Sequence, residues 1–226
     1  MKTAFPCLIL ATALALLPGC VSTSYRASSS NAGNATGSAA GKKTPIQRRV
    51  DYHLDRGLYR DPPGCVFLAP PPAKTSAGFA DLVERAIVRQ LGERFPRTIG
   101  PEQRRRRERR DALDLSHAGD RAAFARSTRC PAYVRWRTIS ASSDFALVLA
   151  QRRVGFEVEL RRSGDDKVLW QASHVASRWD GGLPMSPLAL PFAAFRAATL
   201  SQDQDVLHSM IDDALRRLFV TLPRFH

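Results

Sequence analysis

The hydrophobic positions of the chain first predict a strand followed by a helix. Residues 65–69 form an unbroken apolar run that stops at three prolines, 70–72, and such a run is typical of a strand buried on both faces. Apolar residues then recur at spacings of three and four over 79–95, and Pro96 ends the pattern. This periodicity predicts an amphipathic helix whose apolar stripe packs on the strand.

Later in the chain, apolar and polar positions alternate, which predicts three antiparallel strands. Over 132–137, Val134 and Trp136 alternate with arginines, and the apolar positions of 154–160 alternate with charged ones. The sequence Ser-Gly-Asp-Asp at 163–166 is turn chemistry. We therefore expect residues 168–173 to return as the hairpin partner of the preceding strand.

The remaining elements complete the order β-α-β-α-β-β-β-α. Residues 97–99 predict a short second strand, 111–129 a helix, and the apolar stripe over 207–222 a C-terminal helix. This order predicts an α/β (α+β) fold, in which helices pack on a mixed sheet in two or three layers. We place the single globular domain at 64–226.

The first twenty residues carry a pattern of their own. Lys2 precedes an apolar run over 4–17, which is too short to span a membrane as a helix, and Leu17-Pro18-Gly19-Cys20 follows. This tetrapeptide resembles the lipobox of bacterial lipoproteins. The resemblance implies that 1–19 is a signal peptide and that Cys20 carries acyl chains such as palmitate. With no aspartate after Cys20, it also implies the outer membrane, with the domain facing the periplasm.

Two segments separate the predicted anchor from the domain. Residues 20–43 consist of serine, alanine, glycine, asparagine and threonine with few apolar positions, which predicts a flexible tether behind the lipidated cysteine. Residues 44–63 contain tyrosines, leucines and arginines and form a connecting segment. Its aromatic residues are expected to pack against the domain or to dock a partner, and packing is the favoured interpretation.

The charge of the chain is strongly positive. It has 34 lysines and arginines against 21 acidic residues, a formal net charge of +13. Behind a lipoprotein signal the available anions are envelope lipids, glycans and acidic proteins rather than nucleic acid. One run stands out as either a solvated face, which is favoured, or an anion or acidic-partner patch: Arg104, Arg105, Arg106, Arg107, Arg109 and Arg110.

The cysteines form an even pair once the signal and the lipidated residue are set aside. Cys65 and Cys130 would then lie in an oxidising compartment, where a disulfide is favoured over two free thiols. The chain has no recognisable nucleophile, phosphate-loop or metal-ligand motif, and its five histidines are scattered. We therefore expect no catalytic residue, metal or cofactor.

The domain also resembles a group of envelope lipoproteins over 64–223. The matching features are the strand and prolines at 66–72, the helix after them, the hairpin strand beginning Lys167-Val168-Leu169-Trp170, and the C-terminal helix. Similar domains occur in the curli-secretion-channel lipoproteins, the amino-terminal domain of the Tol–Pal propeller protein, and the activators of penicillin-binding proteins. The resemblance implies parallel, adjacent first and third strands, which would bring Cys65 and Cys130 together.

These observations favour a non-enzymatic, lipid-anchored accessory protein that acts in the periplasm by binding another envelope protein. The apolar connector over 183–200 is the candidate contact, through Leu183, Phe192 and Phe195, unless it only covers the core. One alternative is a binder of anionic lipid or glycan through the arginines. The other is a hydrolase without a recognisable motif. The partner's identity and the oligomeric state stay open.

Overall fold

A computed structural model describes residues 23–27, 48–146, 149–180 and 204–225. Its strands lie in one seven-stranded sheet of order β1-β2-β7-β6-β5-β3-β4. The strands are β1 Thr23–Ala27, β2 Arg48–Leu54, β3 Val66–Leu68, β4 Thr98–Ile99, β5 Ala132–Ala146, β6 Leu149–Arg162 and β7 Val168–Asp180. The helices are α1 Gly57–Arg60, α2 Ala77–Gly92, α3 Pro101–Asp111, α4 Ala118–Thr128 and α5 Gln204–Phe219.

The sheet is mixed. Strands β5, β6 and β7 form an antiparallel meander, and β2 joins β7 antiparallel. Strand β3 runs parallel to both β4 and β5, and β1 runs parallel to β2. The predicted α/β class with helices packed on a mixed sheet is therefore confirmed.

The main core lies between one face of the sheet and the helices α2 and α5. The apolar stripes of both helices are buried there, because each faces the inward positions of β3, β5, β6 and β7. Trp170 on β7 packs against Phe219 on α5 with ring centroids 5.3 Å apart, and its indole N–H donates to Thr221 Oγ1 at 3.0 Å. The C-terminal helix is thus held by both apolar burial and a half-buried hydrogen bond.

A smaller core covers the opposite face at the β3–β4 edge of the sheet. Phe67 packs against Phe124 of α4 and Tyr133 of β5, with centroids 4.9 and 5.6 Å apart. Beside them Cys65 and Cys130 form a disulfide across the parallel strands β3 and β5, with Cα atoms 4.7 Å apart. The favoured disulfide is therefore confirmed.

The predicted start of the domain at residue 64 is wrong. Strand β2 pairs with β7 inside the sheet, and the side chains of Val50 and Leu58 are fully buried. Tyr52 packs against the core as the favoured interpretation expected, whereas Tyr59 is 60% exposed. The segment therefore belongs to the folded unit. Residues 23–27, predicted as part of a flexible tether, instead form the edge strand β1.

Several elements differ in length from the predicted ones. The helix predicted over 111–129 is split, because Ala112 adopts a left-handed conformation that ends α3, and α4 begins only at Ala118. Strand β5, predicted over six residues, has 15 and pairs with β6 as far as Ala146. The sheet is therefore longer along the β5–β6–β7 direction than the alternation alone indicated.

Some predictions lie outside the described residues. These are the signal peptide, the lipidated Cys20, and the candidate contacts Leu183, Phe192 and Phe195. Within the described segments, no helix combines the length and apolarity needed to cross a membrane.

Candidate binding surface

The sheet presents a polar surface on the side opposite α2 and α5. Successive side chains of a strand point to opposite faces, so the charged positions that alternate with the core residues of β5, β6 and β7 share one side. We call this surface the open sheet face and define it by Arg135, Arg137, Glu157, Glu159, Arg161, Ser173 and Val175.

The register of the β5–β6 hairpin places opposite charges directly across from each other. Arg135 lies opposite Glu159, and Arg137 lies opposite Glu157. Arg135 Nε donates to Glu159 Oε2 at 2.7 Å, and Arg161 Nε donates to the same oxygen at 2.6 Å. The guanidinium of Arg137 donates two hydrogen bonds to the Glu157 carboxylate, at 2.9 and 2.8 Å. Such charge-assisted pairs fix both side chains.

The two glutamates of this surface are buried against the sheet, and Arg135 and Arg137 lie above them, closer to solvent. Glu157 and Glu159 are buried, whereas the side chains of Arg135 and Arg137 are 49% and 64% exposed. Burial alone would raise the pKa of Glu159, but hydrogen bonds from Arg135 and Arg161 outweigh it and hold that pKa below its usual value. Glu159 is therefore ionised near neutral pH and is unsuited to act as a general acid.

A tyrosine–aspartate contact closes one end of the network. The Tyr133 hydroxyl donates to Asp166 Oδ1, and Arg161 Nη1 donates to Asp166 Oδ2 at 3.0 Å. Burial is the larger of two causes that raise the pKa of Tyr133 from 10.0 to about 12, and the hydrogen bond to Asp166 is the other. Tyr133 is thus a fixed hydrogen-bond donor rather than a nucleophile at neutral pH.

The network is electrically balanced. Three arginines (135, 137 and 161) face three carboxylates (157, 159 and 166). A cavity of about 420 Å³ lies on this surface, where Pro70 and Pro72 at the end of β3 face the ion-paired side chains. These six side chains are therefore paired with one another and carry no excess charge as a group.

The arginine run on α3 does not form one exposed patch, and the prediction that Arg104 belongs to a surface cluster is wrong. Its side chain is buried, and Nη1 donates to the carbonyl oxygens of Leu68 and Ala69 at 2.9 and 2.7 Å. The same nitrogen lies 3.1 Å from Glu84 Oε1 on α2. Arg104 therefore ties α3 to α2 and to the end of β3.

The other arginines of the run lie closer to solvent. Arg105, Arg106, Arg109 and Arg110 are exposed, and Arg107 is half-buried. Arg105 lies 3.9 Å from Glu84, Arg106 lies 4.0 Å from Glu102 and Arg110 lies 2.8 Å from Asp111, so three of the four exposed arginines have a carboxylate partner. The binding of an anion by this group stays a prediction.

The histidines and carboxylates of the described segments form no group of three that could hold a metal ion. His174, on the core face of β7, is buried, and its Nδ1 lies 2.7 Å from the carbonyl oxygen of Arg49. This contact links β7 to β2 and gives His174 a structural role.

Comparison with known proteins assigns no family. No protein-family model matches the chain, and no curated protein matches it. The PelC dodecamer from Paraburkholderia phytofirmans is 14% identical, with 76% of this chain and 97% of that chain covered at a TM-score of 0.43. Lipoprotein GNA1162 from Neisseria meningitidis is 13% identical, with 61% and 96% covered and a TM-score of 0.40. A minor lipoprotein from Acinetobacter baumannii is 10% identical, with 72% and 96% covered and a TM-score of 0.38.

Proposed function

We propose that this chain is a non-enzymatic, lipid-anchored accessory protein of the bacterial cell envelope that binds a partner protein through the open sheet face. The acyl chains on Cys20 would hold it to the outer membrane with its domain in the periplasm. The observation that carries the proposal is the exposed, charge-balanced arginine network on a sheet face that α2 and α5 leave uncovered. We also propose that the domain shares the architecture of the curli-secretion, Tol-propeller and synthase-activator lipoproteins.

The charge balance favours a protein partner over a simple anion. Arg135 and Arg137 already bind carboxylates of their own chain, so they offer remaining N–H groups and flat guanidinium faces rather than free positive charge. Arginine with neighbouring apolar residues is enriched in protein interfaces. Val175, 42% exposed on the same surface, supplies the apolar contact.

The chemistry of the surface supports binding rather than hydrolysis. A hydrolase that used Glu159 as its general acid would need that carboxyl group to be protonated, and hydrogen bonds hold its pKa below the usual value. The raised pKa of Tyr133 keeps its hydroxyl protonated.

Photo-crosslinking in intact cells tests the surface. Benzoylphenylalanine replaces Val175 in one variant and Val220 in a matched control, because Val220 is 59% exposed but lies after α5, away from the open sheet face. The proposal expects a protein adduct of defined mass from position 175 and none from position 220. Adducts of equal yield at both positions, or none at 175, contradict it.

The connector residues Phe192 and Phe195 remain proposed partner contacts. Changing both to serine should abolish the adduct at position 175 and leave the melting temperature of the protein unchanged. A collapse of folding would instead assign them to core cover.

The binding of anionic lipid or glycan through the exposed arginines of α3 is the alternative. Electrostatic association of this kind weakens steeply with ionic strength, whereas a docked protein interface with apolar contacts does not. Retention on phosphatidylglycerol vesicles that disappears on changing Arg106 and Arg109 to glutamine, with no protein adduct at position 175, would favour the alternative.

A further inference from the structure

Strand β5 is much longer than the strand that lies on its outer side. Strand β3 pairs with β5 only from Ala132 to Val134, whereas β5 continues to Ala146. Three prolines follow β3 at 70–72, and proline has no N–H with which to continue a ladder. Among the residues that the structure describes, no strand pairs with β5 on this side after Val134. The main chain of β5 therefore has an open edge from Trp136 onward.

The contacts of Val134 show which main-chain groups face this edge. The Ala69 N–H donates to the Val134 carbonyl oxygen at 2.8 Å, so the main chain of Val134 faces β3 and not β6. In an antiparallel pair, successive residues face alternately toward and away from the partner strand. Trp136 and Thr138 therefore also direct their N–H and C=O groups away from β6, toward the open edge.

Arg104 ends the ladder between β3 and β5. The next bond of a regular parallel ladder would join the Trp136 N–H to the carbonyl oxygen of Ala69. That oxygen instead accepts a hydrogen bond from Arg104 Nη1 at 2.7 Å. Within the described segments, no other main-chain acceptor replaces it on this side. Trp136 is only 4% exposed, and buried main-chain groups are almost always paired, so this N–H indicates a missing acceptor.

The cavity of about 420 Å³ lies beside this edge. Pro70 and Pro72 line one side of it and residues 135–137 line another, so it occupies the place that β3 would fill if the strand continued. The register between β5 and β6 shifts between Thr138 and Ser140, which ends the regular part of the edge. The space beside the unpaired groups therefore suits a short extended segment.

The charges nearest to the edge are positive. Arg135 and Arg137 lie on β5 itself, whereas Glu157 and Glu159, their partners, lie on β6, one strand further in. Arg135 binds Glu159 through Nε, which leaves its two terminal nitrogens for a further acceptor. Opposite charges on neighbouring strands stabilise a pair and like charges destabilise it. An acidic strand is therefore favoured, while a second copy paired antiparallel about Trp136 would set arginine against arginine.

The other face of the same edge is aromatic. Phe79, at the start of α2, is half-buried and packs against Trp136 with ring centroids 6.4 Å apart. Side chains of a strand alternate between the two faces of a sheet. A segment added beside Trp136 would thus place every second side chain near this aromatic pair, where an apolar residue is favoured.

We propose that the partner docks by strand addition, through an extended segment of alternating acidic and apolar residues that pairs with the open edge of β5. Its main chain binds the outward N–H and C=O groups of Trp136 and Thr138. Its acidic side chains contact Arg135 and Arg137, and its apolar side chains contact Phe79. This inference rests on the proposed function, because it names how the partner of the open sheet face is held.

Hydrogen exchange at single-residue resolution tests the edge on the full chain, held in phosphatidylcholine nanodiscs. The probe is the peptide acetyl-Ser-Val-Glu-Val-Glu-Val-Ser-amide. Without it, the amides of Trp136 and Thr138 should exchange at least ~10-fold faster than those of Arg135 and Arg137, which face β6. Saturating peptide should slow the first pair at least ~10-fold and leave the second pair within about two-fold.

Peptide and protein variants test the two kinds of contact by fluorescence anisotropy. A peptide with lysine in place of glutamate should bind at least ~5-fold more weakly. A fully N-methylated peptide keeps the side chains but has no main-chain donor, and it should bind at least ~10-fold more weakly. Thr138→Pro removes one outward N–H and should weaken binding by a similar factor. The matched control Thr138→Ala keeps that N–H and should bind within about two-fold, with equal thermal melting as the check on folding.

Several outcomes would overturn strand addition. Equal binding of the N-methylated peptide is one. Slow exchange at Trp136 and Thr138 before peptide is added is another, because it would mean that a different segment of the chain already occupies the edge. If that protection grew with protein concentration, a second copy would be the occupant. A protein adduct at position 175 without peptide binding would overturn strand addition and leave the proposed function standing.

Discussion

At the residue scale, Arg104 shows that a side chain in an arginine run can be a core residue. Its guanidinium satisfies two carbonyl oxygens at the end of β3, where the prolines prevent the strand from continuing, and it neutralises the buried Glu84. A charge in this position is tolerated because it is both paired and hydrogen-bonded.

Replacing Arg104 with methionine is therefore expected to destabilise the protein by ~3–5 kcal/mol, because two carbonyl groups lose their partner in the interior and Glu84 keeps only the more distant Arg105, 3.9 Å away. Urea unfolding followed by circular dichroism measures the change. Arg106→Met on the same helix is the matched control and should change the free energy of unfolding by less than about 0.5 kcal/mol. A similar effect of the two substitutions would show that Arg104 is not buried as described.

Tyr133 gives the protein an expected pH dependence on the alkaline side. The pKa of its hydroxyl is raised from 10.0 to about 12 in the folded state, by burial and then by the hydrogen bond to Asp166. The folded state therefore holds this proton more tightly than the unfolded state, so the stabilisation is complete below pH 10 and is lost as the pH rises toward 12.

Titration of tyrosine absorbance should accordingly show one phenol that ionises near pH 12. Tyr133→Phe removes that step, and its free energy of unfolding should fall less steeply between pH 10 and pH 12 than that of the parent protein. A titration in which all phenols of the parent ionise together near pH 10 would contradict the buried contact with Asp166.

At the scale of elements, β2 and α1 are needed to complete the sheet and its core. Val50 on β2 and Leu58 on α1 are both fully buried in the main core. Full burial of one such side chain contributes ~1.5–3 kcal/mol. Without β2 and α1, the edge of β7 and part of the main core would be exposed to water.

Two truncated chains test this boundary, one that begins at residue 48 and one that begins at residue 64. The shorter chain should lose at least ~3 kcal/mol of stability or fail to fold, because it lacks both buried side chains and the β2–β7 hydrogen bonds. Thermal melting by circular dichroism compares them. Of the described elements, the chain that begins at 48 lacks only β1, so it serves as the control, and equal melting temperatures would contradict the extended boundary.

The disulfide joins β3 to β5 and closes a loop with a sequence separation of 65 residues. Cys65→Ala/Cys130→Ala should lower the free energy of unfolding by ~4 kcal/mol, because the cross-link restricts the unfolded chain. Reductant should destabilise the parent protein by a similar amount and leave the double variant unchanged. An effect of reductant on the double variant would point to another cause.

Periodicity predicted the order of elements because the packing of each one on a common core leaves its own apolar spacing in the sequence. The register of β5 and β6 was not predictable, since the residues at the tip of that hairpin contain no tight-turn motif. Without the register, Arg135 and Glu159 were separate charged residues rather than a pair. Strand β2 has the alternation typical of a strand, since Val50, Tyr52 and Leu54 alternate with polar residues. The many charged residues of this segment led instead to its interpretation as a connecting segment.

At the scale of the whole molecule, charge is unevenly distributed. The chain has a net charge of +13, yet the arginines at 135, 137 and 161 are all paired with carboxylates, so the positive excess lies elsewhere, in part on the exposed arginines of α3. A protein of this charge would also adhere to anionic membranes without any lipid anchor. Membrane association alone therefore does not distinguish an acylated cysteine from electrostatic attraction.

A salt wash separates the two causes. At about 1 M salt the Debye length falls to about 3 Å, so attraction between arginines and lipid phosphates is screened. Burial of each acyl methylene still contributes ~0.8 kcal/mol, and two or three chains hold a protein almost permanently. The parent protein should therefore stay in the membrane pellet and incorporate labelled palmitate, whereas Cys20→Ser should bind at low salt and be released at high salt. Release of the parent protein by salt, or retention of Cys20→Ser through the wash, would mean that the domain and not the cysteine attaches this chain to the membrane.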